Sequence, residues 1–87
     1  MPAKTKRETR KQAKARYAEE NRRAAKRALA LVSKVNRGDD IETNITDLLA
    51  NIRHLCDLLE LDYAELDYGA YHHYTAEVVQ ARTGAEQ

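Results

Sequence analysis

The side chains able to do acid–base or metal chemistry are few and scattered. His73 stands four residues before Glu77, so on a helix the two share a face and could offer two ligands to a metal ion. His72 points to a different side, and His54 lies near Asp47, Asn51 and Leu58, away from the main apolar stripe of its segment. The chain has no HxxxH or HExxH spacing and a single cysteine, Cys56, so no ligand set is completed. The histidines read as surface or boundary residues, and no metal site is assigned. Cys56 falls within an apolar stripe with no histidine beside it, which suits a small buried hydrophobe better than a nucleophile.

Asp57 and Glu60, followed by Glu65, are of the type that holds Mg²⁺ in all-α nucleotide pyrophosphatases, where carboxylates from two helices converge on one ion. Here they flank a turn at which acids also serve as helix caps. Metal-dependent nucleotide hydrolysis is therefore a remote third reading, behind two binding functions. No phosphate loop, serine nucleophile motif or independently supported acid pair appears. The expectation is a non-enzymatic protein with no catalytic residue and no cofactor.

Charge is the stronger signal. Residues 1–37 carry thirteen Lys/Arg against three acids, a formal charge of +10, while residues 38–87 carry two Arg against eleven acids, a charge of −9. The whole-chain charge of +1 conceals this split. Lys4, Lys6, Arg7, Arg10, Lys11, Lys14 and Arg16 open the chain, and Arg22, Arg23, Lys26 and Arg27 continue the row. A basic ridge of this kind can neutralise several phosphates in a strongly salt-dependent way. It lacks side-chain clusters at base-reading spacing and a helix-turn-helix signature, so contact is expected with the nucleic-acid backbone or an acidic protein surface. The competing reading is a solvated face that aids solubility, or docks on the acidic half of this chain or of a neighbouring copy.

A second candidate surface lies further on. Tyr68, His72, Thr75 and Val79 recur at steps of four, three and four, on the side of their helix away from Leu66, Ala70, Tyr71, Tyr74, Val78 and Ala81. A helix with large groups on two faces is either sandwiched or binds something, so Tyr68, His72 and Val79 are assigned to a partner or oligomer face. Tyr63, Tyr71 and Tyr74 are expected to pack inward.

The elements that must carry these residues are helical. Ile41, Ile45, Leu48, Ile52, Leu55 and Leu59 alternate at steps of four and three, a broad stripe that is expected to nucleate the core. Three helices are predicted, at about 13–37, 40–60 and 63–82, with 1–12 a basic tail and 83–87 a fraying end. Tyr17 to Val35 supplies the packing face of the first helix, and nothing before Tyr17 is expected in the core. Glu19 and Arg23 form a favourable i,i+4 pair. Lys34 and Arg37 suit the helix C-terminus, and Gly38 suits the residue after its cap. Asp39 or Asp40 can cap the second helix, with Asn44 competing. Asp62, with Glu65 and the Leu61–Leu66 staple, caps the third. Gly69 inside that helix suggests close backbone approach. The fold expected is all-α: a three-helix bundle, or a hairpin of helices two and three forming an acidic body beside a long basic N-terminal helix.

Eighty-seven residues with no Trp or Phe allow one small domain of marginal stability, which favours a homo-oligomer. No apolar run approaches membrane-spanning length and no signal-peptide core is present, so no membrane partner and a cytoplasmic location are expected.

The segment Asp47-Leu-Leu-Ala-Asn-Ile-Arg-His-Leu-Cys-Asp57, then Leu61-Asp-Tyr-Ala-Glu-Leu66 and Ala70-Tyr-His-His-Tyr-Thr-Ala-Glu77, resembles short all-helical accessory proteins of phages and mobile elements. The resemblance covers about a third of the chain. It implies a helical hairpin and no particular activity. It leaves the basic arm outside. Because such proteins often bind host or phage machinery, it adds an alternative function: a protein-binding inhibitor of a host defence complex, anti-CRISPR-like, acting through the Tyr68 face.

Overall fold

The structure is a computed structural model that describes residues 7–85. Three helices follow one another: α1 (Arg10–Val32), α2 (Ile41–Leu58) and α3 (Tyr63–Thr83). There is no strand among the described residues.

Each helix start has a side-chain cap. Thr9 and Gln12 form a capping box, Gln12 N–H donating to Thr9 Oγ1 at 3.1 Å and Thr9 N–H to Gln12 Oε1 at 2.9 Å. That box starts α1 at Arg10, three residues ahead of the expected start. Asp40, rather than Asp39 or Asn44, caps α2, accepting from Thr43 N–H at 2.7 Å. Asp62 caps α3 through Ala64 and Glu65 N–H, at 2.9 and 3.4 Å.

The end of α1 differs from expectation. It stops at Val32, where Ser33 Oγ donates back to Leu29 carbonyl at 2.8 Å, a side-chain bond that competes with continuing the helix. Asn36 then organises the connection. Its Oδ1 accepts from Gly38 N–H at 3.1 Å, and its carbonyl accepts from Asn44 Nδ2 at 2.9 Å. Gly38 is thus part of a side-chain-held loop and not the residue after the cap. Asn44, read as a possible cap, is instead buried inside α2 as the anchor of that loop.

At the end of α2, Leu61 N–H donates to Cys56 carbonyl at 2.8 Å and Glu60 N–H to Asp57 carbonyl at 3.2 Å, the bonding of a Schellman motif. The left-handed position that glycine usually fills is taken by Glu60, with φ 56°.

Helices α1 and α3 pair antiparallel and form the main packed contact of the chain. Asn21 Nδ2 donates to Glu77 carbonyl at 3.0 Å, Ala24 and Ala25 face Tyr74 and Val78, and Gly84 backs onto Arg10 and Lys14. Ala13 and Tyr17 are buried in this seam. The packing face therefore extends past Tyr17 toward the N-terminus, contrary to expectation, and residue 84 belongs to it rather than to a fraying end. A Cβ at Gly84 would stand 2.4 Å from the Arg10 carbonyl oxygen, so only glycine allows this approach. Gly69, expected to allow one, has nothing within 4 Å.

The second departure is larger. Helices α2 and α3 hardly touch beyond their shared turn, and α2 meets α1 only sparsely. The expected α2–α3 hairpin body is absent, and α2 does not nucleate the core. Of its stripe, Ile41, Ile45, Ile52, Leu55 and Leu59 are all exposed, Leu48 is half-buried, and Cys56 alone is buried, as expected for it. The closest approach of α1 and α3 is made where small residues allow it, at buried Ala13 and at Gly84 against Arg10. The radius of gyration is 17.8 Å, against about 12 Å for a compact domain of this length.

Candidate functional site

Helix α1 distributes its cations unevenly. Arg16 is the most engaged. Its Nε and Nη2 bind both oxygens of Glu8 at 2.8 and 2.9 Å, Nη1 reaches Glu20 at 3.2 Å, and the guanidinium lies 4.4 Å from the Tyr17 ring centroid. Glu8, and secondarily Tyr17, hold Arg16 protonated far above any working pH, while Arg16 lowers the Glu8 carboxyl below its ordinary range. Glu19 pairs with Arg22 and, at 3.4 Å, with Arg23, and its carboxyl is lowered chiefly by Arg22.

Arg16, Arg22 and Arg23 are therefore partly neutralised within their own helix. Arg7, Lys11, Lys26 and Arg27 are exposed with no acidic partner among the described residues. Arg10 and Lys14 are exposed too, but their backbone and stem frame the seat of Gly84. Lys4 and Lys6 lie outside the described residues.

Every ion pair among the described residues is made by α1 cations with Glu8, Glu19 or Glu20. No acid of α2 or α3 neutralises them. Although α3 packs along α1, none of its carboxylates pairs with an α1 cation, so α1 keeps an outward row in which Lys26 and Arg27 are the clearest free cations.

The second surface is aromatic. Tyr68 is 67 % exposed and meets His72 edge-on at 4.3 Å between ring centroids, and Tyr71 joins them at 6.1 Å. Val79 is half-buried further along α3. Tyr71 and Tyr74, expected to pack inward, are exposed. Tyr63 is half-buried, with the Arg53 guanidinium 4.2 Å from its ring centroid.

Comparison with protein-family models, curated proteins and solved structures finds no match. Geometry alone must speak for this chain.

No three His, Cys, Asp or Glu side chains converge on a possible metal position among the described residues, so His73, Glu77, Asp57, Glu60 and Glu65 are not brought together. Cys56 is buried and free of any disulfide. No helix is long and apolar enough to cross a membrane among the described residues.

Sequence reasoning missed two contacts of this arrangement. Asn21, a polar residue within the apolar face of α1, bonds across the seam to the Glu77 carbonyl. The Thr9-x-x-Gln12 spacing was a legible signal for the early start of α1.

Proposed function

We infer that this chain is a non-enzymatic binding protein whose α1 ridge contacts the phosphate backbone of nucleic acid or a similarly dense acidic surface. The observation that carries this reading is the row of exposed α1 cations left unneutralised by the chain's own acidic half, with Lys26 and Arg27 at its centre. Backbone contact, without base reading, follows from the side chains: Lys and Arg on one helix, with no Asn or Gln beside Lys26 and Arg27 to read base edges. A homo-oligomer would present more than one such ridge and gain avidity.

The test is salt-titrated binding to random-sequence duplex and single strands. Engagement of four to six phosphates gives a slope of log K against log salt of about −4 to −5 on duplex. Replacing Lys26 or Arg27 by Ala lowers that slope by about 1 each and weakens binding equally on all sequences. Binding unchanged in the Lys26→Ala/Arg27→Ala double variant would sink the reading.

The exposed Tyr68–His72–Tyr71 cluster favours one second reading: a protein-binding inhibitor, of the phage accessory kind, that docks through α3. Tyr68→Ala separates the two, since it abolishes protein capture on this reading and leaves the salt slope of the first untouched.

A further inference from the structure

We propose that the open apolar face of α2, together with the flank of α1 beside it, is the interface of a two-fold homodimer. This rests on the oligomer part of the reading above and names its surface. The stripe of Ile41, Ile45, Leu49, Ile52 and Leu55 is 37–51 % exposed and runs unbroken along the helix. Beside it, α1 and α2 enclose a trough of about 460 Å³ walled only by Ala, Leu, Ile and Val. Leu49 links that trough to a second, of about 250 Å³, between α2 and the start of α3. A trough floored by Ala25 and Ala28 next to a ridge of Leu and Ile offers a groove and a knob on one surface, which is what a self-complementary, isologous contact needs.

Something must cover α2. An 18-residue helix rich in Thr, Asn, Asp and β-branched residues does not hold its shape on intrinsic propensity. Its contacts within the chain are sparse.

The exposed area suits a second copy as the occupant. A compact monomer of 9.9 kDa exposes about 5,200 Å², whereas this chain exposes 7755 Å². Give the eight terminal residues outside the described range the area of fully extended chain, about 1,300 Å², and an excess above about 1,000 Å² remains. Two copies hiding that much each bury more than about 2,000 Å², the size of an obligate homodimer interface. Charge permits it as well. At +1 overall, two copies repel little, and each brings a positive and a negative segment to set across the rim.

Sedimentation equilibrium of the full chain and isotope-filtered NMR on a mixed labelled and unlabelled sample test this together. The expected result is twice the 9.9 kDa chain mass, with intermolecular NOEs from the methyls of Ile45, Leu49 and Ile52. Leu49→Glu raises the dimer dissociation constant about a hundredfold or more by burying an unpaired charge. Leu58→Glu, at a position 79 % exposed and off the stripe, leaves it within a few fold.

A wild-type chain that stays monomeric at 100 μM, whether α2 closes on its own chain or awaits another protein, overturns both the oligomer and this interface. A dimer without NOEs from those methyls, or equally disrupted by Leu58→Glu, overturns the interface alone. If Leu49→Glu does not fold, the wild-type NOEs decide. Neither failure touches the salt-titration test of α1.

Discussion

Two glycines with opposite surroundings give the sharpest residue-scale contrast. Gly84 has φ 74° and its missing Cβ leaves room for the Arg10 carbonyl, so Gly84→Ala should cost about 2 kcal/mol or more through backbone strain and a clash that α1 cannot relax. Gly69 is a half-buried helix position with open space where a Cβ would stand, so Gly69→Ala should stabilise by about 0.5–1 kcal/mol. Chemical denaturation of both variants reads the opposite signs. Asp40 supplies a pH dependence. Its carboxyl is lowered below 3.8 by hydrogen bonds from Thr43, first the side chain and then the backbone N–H. A depressed carboxyl contributes stability that is fully present above its unfolded pKa and is lost as pH falls through the folded value. Thermal melts should therefore fall from about pH 4 downward. Asp40→Asn, which keeps the cap, should flatten that slope and change the neutral-pH melting temperature little.

At the scale of elements, helix type and most helix starts were legible, because both are local. Periodicity marks an apolar face, and an Asp or Thr before it can close the first turn without help from the rest of the chain. The end of α1 was less so, since Gly38 resembled a terminator while the stop came from Ser33 and Asn36, whose side-chain bonds carry no strong spacing signal. Pairing was the least legible. A stripe declares that a face wants cover and says nothing of what covers it, so the α2 stripe looked like a core while α1 and α3 met most closely at the small residues Ala13 and Gly84. Of the candidate ridge, residue types were evident in advance. The Glu19–Arg23 pair was legible from its i,i+4 spacing and is present at 3.4 Å, whereas the draw of Glu8 and Glu20 on Arg16 and of Glu19 on Arg22, which leaves Lys26 and Arg27 free, depended on rotamers and was not. The Schellman turn after α2 yields an element-scale prediction. Glu60 holds a left-handed conformation without need of its side chain, so Glu60→Gly should raise stability by about 0.5–1 kcal/mol, measured by thermal melting.

For the whole molecule, an extended arrangement with principal extents of 56 × 30 × 25 Å leaves little interior. No side chain is fully buried among the large residues described. If folding and pairing are one event, the melting temperature rises with protein concentration, by mass action. A dilution series from 100 to 1 μM should lower it by several degrees, whereas a self-sufficient monomer would melt at one temperature throughout.

The near-detachment of α2 also bears on how long a copy of this chain lasts in a cell. A helix joined to the rest by residues 33–40 and 59–62 and few contacts opens at little free-energy cost, and opened helix is what proteases cut. Limited proteolysis should cleave within α2 fastest at the lowest protein concentration, with cuts in α1 and α3 lagging behind.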